Sequence, residues 1–333
     1  MKRLTILLSY FLTALPSIAQ YAPQAGISGS SALHKNSTQI VGWANHCTLQ
    51  RGWMDIANPS LGRVNSGDSS LAMGAADNLT VSLGDSGIAV LTFPAPITNG
   101  PGADFAVFEN GFLNTANSEE AFLELAFVEV SSDGVHFFRF PAISHTQDTQ
   151  QITGTGAPGT GDYINARHIH QLAGKYIANY GTPFDLDALQ GMEGLDIQRI
   201  THVRLVDVIG DLGLRGSFDS NHHSINDPYP TPFPTGGFDL DAVAVLHQLS
   251  TAVPNANLAK VIIYPNPVAD ILKIENNEPS SITIVDAMGR TVFYAENKRF
   301  ERIDVSQWQQ GMYFITISNT MGNLWAGQFV KTP

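Results

Sequence analysis

Short apolar runs alternate with turn-forming clusters along most of this chain, and few stretches carry the three-to-four-residue apolar spacing of a surface helix. Strand-like runs include Gly87-Ile88-Ala89-Val90-Leu91-Thr92-Phe93, Asp104-Phe105-Ala106-Val107-Phe108 and Ala126-Phe127-Val128-Glu129-Val130. His202-Val203-Arg204-Leu205-Val206-Asp207-Val208 and Phe238-Asp239-Leu240-Asp241-Ala242-Val243-Ala244-Val245-Leu246 extend the series. These runs favour strands because β-branched and aromatic side chains pack well on a pleated surface, and Gly, Pro, Asn and Asp punctuate them. Ser131-Ser132-Asp133-Gly134, between Val130 and Val135, carries the Asp-Gly pair of a tight hairpin. A short helix is expected only near Ile169-His170-Gln171-Leu172-Ala173. The pattern predicts an all-β fold, with residues 20–250 forming a jelly-roll-like antiparallel β-sandwich. Two long insertions, 144–163 and 213–237, should be surface loops, where binding sites tend to sit.

The ends of the chain follow different rules. Lys2 and Arg3 precede an apolar stretch from Leu4 to Leu15, and the small residues Ser17 and Ala19 suit signal peptidase. Residues 1–19 are therefore expected to be a signal peptide, with a mature chain starting at Gln20. The apolar stretch is too short to span a bilayer, and no other long one exists, so no transmembrane segment is expected. At the other end, residues 251–260 read as a linker and 261–333 as a second, smaller β unit. Its strand runs include Ile282-Thr283-Ile284-Val285 and Tyr313-Phe314-Ile315-Thr316-Ile317, with turns at Asp286-Ala287-Met288-Gly289 and Asn319-Thr320-Met321-Gly322-Asn323. Pro265 and Pro267 stiffen the entry to its first strand.

That last segment carries Tyr264-Pro265-Asn266-Pro267, Asp270, Asp286-Ala287-Met288-Gly289-Arg290, Gly311-Met312-Tyr313 and the basic Lys331, in that order. It resembles the type A sorting domain of type IX secretion substrates, with its YPNP-x-x-D-x-L start, D-x-x-G-R hairpin, G-x-Y strand and basic end. The resemblance implies an Ig-like β-sandwich recognised by the type IX secretion machinery. It also implies export to the cell surface or medium, and removal of the segment on arrival. The plain alternative is a small β-sandwich that only adds stability. In the larger unit, Asp104-Phe105-Ala106-Val107-Phe108-Glu109-Asn110-Gly111-Phe112, Val128-Glu129-Val130-Ser131-Ser132-Asp133-Gly134 and Gly236-Gly237-Phe238-Asp239-Leu240-Asp241-Ala242-Val243 resemble a family of exported bacterial surface proteins of undefined activity. The same blocks are more distantly similar to surface proteins of corrinoid uptake, which implies ligand capture.

Charge narrows the partners. With Lys2, Arg3 and the charge-balanced tail set aside, nine Lys and Arg face 23 Asp and Glu. A surface this acidic repels nucleic acid and anionic membrane, and is compatible with divalent cations or neutral ligands. Acidity also simply keeps an exported protein soluble. The lone Cys47 excludes an intramolecular disulfide, and reads as a small buried hydrophobe.

The strongest candidate chemistry is acidic. Strand alternation puts Asp239 and Asp241 on one face and Phe238 and Leu240 on the other. Carboxylates facing one way repel unless solvated, hydrogen-bonded or bridged by a cation. A structural calcium ion on Asp239 or Asp241 with Glu109, completed by Asn110 and Asp207, is one reading. The other is that these carboxylates cap turns. A second candidate is the stiff loop from Asn226 to Pro234, whose Tyr229 and Phe233, joined by Trp43 and Trp53, would form an aromatic platform for glycan rings or flat ligands. The alternative is that these rings plug the end of the sandwich. His46 and Ser86 have protease-like neighbours, but too few residues separate them for a protease double barrel. His168, His170, His222 and His223 lack the spacing of a zinc site. Together these features predict a secreted or surface-attached, non-catalytic protein that binds a small molecule, corrinoid, glycan or surface partner. A rival reading is an extracellular hydrolase acting on glycans, for which two carboxylates roughly 5 to 9 Å apart in one pocket would speak. A structural or adhesion role is the third.

Overall fold

A computed structural model describes residues 21–249, 261–319 and 324–333. The expected signal peptide and the whole of the expected linker lie outside the described residues. The chain divides into two compact units between Leu249 and Ser250.

The first unit is a β-sandwich of two antiparallel sheets. One runs in the order Leu33–His34, Tyr180–Phe184, Phe105–Glu109, Asp239–Val245, Gly42–Trp43, with Val81–Ser82 added beside Asp239–Val245. The other runs Phe138–Arg139, Ala126–Ser131, Ile200–Asp207, Ile88–Ile97, His46–Gln50, with Leu172–Ala173 on the Ala126 strand. From Phe105 onward the strands 105–109, 126–131, 180–184, 200–207 and 239–245 fall alternately in the first and second sheet. This is the crossing pattern of a jelly roll.

Alternation explains the packing. Phe105 and Val107 point into the core between the sheets, beside Leu205, Leu240 and Val243. Ala106 and Phe108 point the other way, into a cluster closed by Leu33, Ile40 and Trp43. Both faces of this central strand are thus covered, and all five of its residues are buried. In the partner strand a bulge at Asp241 breaks the register between Leu240 and Ala242. Asp241 is the additional residue, so Leu240 and Val243 both face the core.

The expected hairpin forms, with Val130 opposite Phe138 and Gly134 at φ 77°. The helix expected at 169–173 does not. Ile169–His170 and Leu172–Ala173 are two short strands separated by Gln171 at φ 56°, and each pairs with a different neighbour. Available edge partners outweigh weak helical spacing there. The two insertions carry an interior of their own: Ile152 and Ile225 pack with Leu123, Leu125, Ile164 and Ile169.

In the second unit Ile262–Tyr264, Ile271–Asp286, Thr291–Asp304, Gly311–Asn319 and Leu324–Lys331 form an antiparallel sheet around Leu272, Ile284, Ile315 and Phe329. Asn266 ties the entry segment to the last strand: its Nδ2 donates to Gln328 O at 3.1 Å, and Val330 N donates to its Oδ1 at 3.0 Å. Asp270 offers its main-chain carbonyl to Val305 N at 2.7 Å. Asp286 accepts the amide protons of Met288 and Arg290 and the guanidinium of Arg290, closing the hairpin around Gly289 at φ 79°. Tyr313, which follows Gly311 by two residues, stacks on Phe329 at 5.4 Å, and Lys331 is buried. Among the described residues no helix is long and apolar enough to cross a membrane.

Candidate functional site

Chain segments distant in sequence enclose a cavity of about 380 Å³ in the first unit. Asn110, Gly111 and Phe112 enter it directly after the strand Phe105–Glu109. Phe122 and Glu124 enter at the end of the strand Asn117–Phe122, and Asp239 opens the strand Asp239–Val245. The two insertions supply the rest: Gly154, Gly156 and Pro158 from one, Thr231, Phe233 and Gly236 from the other. A side chain at Gly236 would place its Cβ 2.2 Å from Thr231 O, so only glycine lets this loop fold against itself.

One wall is aromatic. Phe112 and Phe122 stack with centroids 5.2 Å apart and planes 14° apart, and about half of the Phe112 surface is open to solvent. The rest of the lining carries carboxyls. Asp239 is held by the Ser82 hydroxyl and by Asn110 Nδ2 at 2.9 Å. Glu124 keeps partial exposure and lines the cavity, and among the described residues no group donates a hydrogen bond to its carboxyl. Behind them Glu109 is buried, accepting Gly111 N at 2.7 Å. Two further buried carboxylates steady the frame: Asp207 accepts Phe238 N at 2.7 Å, and Asp227 accepts Leu125 N at 2.8 Å.

Burial pushes Glu109, Glu124, Asp207 and Asp227 well above the usual carboxylate range, and mutual repulsion adds to the push. Asp239 is also raised by burial, against the opposing effect of its Ser82 and Asn110 donors. None of these five carboxylates joins an ion pair among the described residues.

The residues singled out in the sequence divide among several places. Asn110 and Asp239 meet at the cavity, with Glu109 buried close enough to Asp239 to feel its charge. Asp207 lies one layer back, spent on the amides of Phe238 and Ser86. Asp241 faces elsewhere and caps the turn at Asp77 and Asn78, whose amides donate at 3.1 and 3.2 Å. Among the described residues no group of three or more His, Cys, Asp or Glu is arranged to hold a metal ion. Of the aromatic set, only Phe233 lines the cavity. Tyr229 is buried with its hydroxyl donating to Asp55 at 3.2 Å. Trp43 packs on Phe108 at 5.5 Å, and Trp53 carries the Arg63 guanidinium 4.0 Å from its ring centre. The structure does not bring these four rings together.

Sequence reasoning passed over Glu124, Phe112 and Phe122. A signal for two of them was present: in Ala121-Phe122-Leu123-Glu124-Leu125 every second residue is buried in the core, which turns Phe122 and Glu124 to the opposite side. The second unit has a cavity of similar volume, lined by Met288, Arg290, Trp308, Met312 and Tyr313, so it overlaps the hairpin and G-x-Y positions of the tail.

Comparison with known proteins identifies the tail. Residues 262–331 match the family described as "Secretion system C-terminal sorting domain". The chain therefore carries the address of a protein delivered to the cell surface or beyond. No curated protein matches the sequence. Among solved structures, CopC from Methylosinus trichosporium OB3b is similar at 19% identity, over 22% of this chain and 92% of that one, with a TM-score of 0.17. A β-glucuronidase from Ruminococcus gnavus is similar at 13% identity, over 73% of this chain and 36% of its own length, with a TM-score of 0.19. That of Parabacteroides merdae is similar at 9% identity, over 89% and 35%, with a TM-score of 0.22. This chain thus matches little more than a third of either glucuronidase, and at such TM-scores none of the three structures bears on its fold or activity.

Proposed function

We propose that the chain is a type IX secretion substrate whose first unit is a non-catalytic binding module, and that its ligand is a small polar molecule or glycan end held in the Phe112–Glu124–Asp239 cavity. The carrying observation is that an open aromatic face and carboxyl oxygens line one cavity. An aromatic face covers the apolar side of a sugar ring, and carboxyl oxygens accept its hydroxyl protons. The tail supplies delivery and takes no part in binding. Glycan-array binding by the full chain tests this reading. The native protein should retain a defined set of glycans, and Phe112→Ala should lose about tenfold in affinity, the value of one good aromatic contact. Equal binding by the variant would refute it.

One observation favours hydrolysis in the same cavity. Asp239 has two donors that stabilise its ionised form, whereas Glu124 has none, and such a difference separates a base from an acid. Turnover of aryl glycosides, lost in both Glu124→Gln and Asp239→Asn, would establish the hydrolase. Binding without turnover leaves the module a receptor.

A further inference from the structure

We propose that the cavity takes a cationic ligand, specifically an ammonium-bearing sugar, whose charge sits between the Phe112–Phe122 pair and the Glu124 carboxyl. The inference rests on the binding function proposed above and adds the ligand's charge. Among the described residues no lysine, arginine or histidine lines this cavity, and the ionisable side chains that do are Glu124 and Asp239. Glu109, Asp207 and Asp227 are buried nearby, and among the described residues none of the five is paired with a protein cation. Carboxyls crowded and buried like this hold their protons when alone, and a bound cation is what would let Glu124 ionise.

The wall chemistry decides what that cation is. A divalent metal wants several oxygen ligands converging on one point. Here Glu109 is occupied by Gly111 N, Asp239 by Ser82 and Asn110, and Asp207 by two main-chain amides. Of the five, Glu124 alone receives no hydrogen bond from the described residues, and an ammonium needs only one such carboxylate. The remaining favourable surface is aromatic, which suits an organic cation: ring faces attract ammonium groups and cover sugar carbons. Phe233, about two-fifths exposed on the loop side, adds a third ring.

Calorimetric titration of the full chain with the β-1,4-linked disaccharide of glucosamine, and separately with its N,N′-diacetyl counterpart, tests the charge. The two differ in their ammonium groups and share a sugar skeleton. The amino form should bind about tenfold or more tightly than the acetylated form, and the preference should shrink at high salt. Glu124→Gln should abolish the preference, while Phe112→Ala should weaken both sugars together. Equal binding of the two, or preference for the acetylated form, overturns the cationic assignment and leaves the cavity a neutral-sugar site. Failure to bind either sugar overturns this assignment, and failure across neutral glycans as well overturns the binding function itself. A preference retained in Glu124→Gln also overturns it, because the charge would then be read elsewhere.

Discussion

Asp227 accepts the main-chain proton of Leu125 at 2.8 Å, and so fixes the backbone immediately after the cavity carboxyl Glu124. Asp207 does the same for Phe238, the residue immediately before Asp239. Each cavity carboxyl is thus flanked by an amide held from behind by a second, buried carboxyl.

Substitution of Asp227 should separate its hydrogen bond from its charge. Alanine leaves the buried Leu125 amide without a partner and should cost about 1–3 kcal/mol. Asparagine keeps an acceptor and removes the charge, so its cost should be less than about 1 kcal/mol. Urea unfolding of the two variants checks this; equal losses would show that the hydrogen bond is not what Asp227 contributes.

Stability should fall with rising pH across the weakly acidic range. Glu109, Glu124, Asp207 and Asp227 have raised folded values, so the folded chain holds more protons than the unfolded one. Their contribution is complete below the unfolded carboxylate value and is lost as pH climbs through the folded one. For Asp85, pushed up by burial, the window runs from 3.8 to about 6. His168 and His170, held low chiefly by burial, act in the opposite sense near the top of that range. The carboxylates outnumber them, so melting of the first unit should occur at lower temperature near pH 7 than near pH 5. A flat profile would contradict the uncompensated acidic wall, and Asp227→Asn should reduce the slope.

Delivery should depend on how the tail folds as well as on its motif residues. Asn266 bridges the entry segment to residues 328 and 330, and Tyr313 fills the core against Phe329 and Trp308. Tyr313→Ala should cost about 3–5 kcal/mol of the second unit's stability. Asn266→Ala, which loses two exposed hydrogen bonds, should cost about 1 kcal/mol. In cell fractionation, Tyr313→Ala and removal of residues 254–333 should both leave the protein in the periplasm. Normal delivery of the truncated chain would contradict the assignment.

The fold was largely legible because a sandwich strand is written locally. Ala106 and Phe108 alternate with Phe105 and Val107 whatever lies far away in sequence. The tail was legible for another reason: its motif residues serve turns and strand ends, whose chemistry is short-range. The site was not legible in the same way. Asp239, Asp241 and Asp207 look alike in sequence, yet one faces a cavity, one caps the Asp77 turn, and one holds Phe238. The sorting among these roles is done by a bulge and by loops that return from more than a hundred residues away. The string Phe-Asp-Leu-Asp occurs twice, at 184–187 and 238–241, yet the first leads into a 3₁₀ turn at Leu186–Leu189 and the second enters a strand. Glu124 was overlooked because its importance comes from lining the cavity without a partner among the described residues, which only the assembled walls reveal.

The central claim is that one cavity, walled by Phe112, Glu124 and Asp239, receives the ligand. Hydrogen–deuterium exchange of the full chain, with and without a glycan retained on the array, addresses it most directly. Protection should appear in residues 110–124, 154–158 and 231–239, with the second unit unchanged. Protection confined to other segments, such as 286–313, would place the binding site elsewhere and contradict the account.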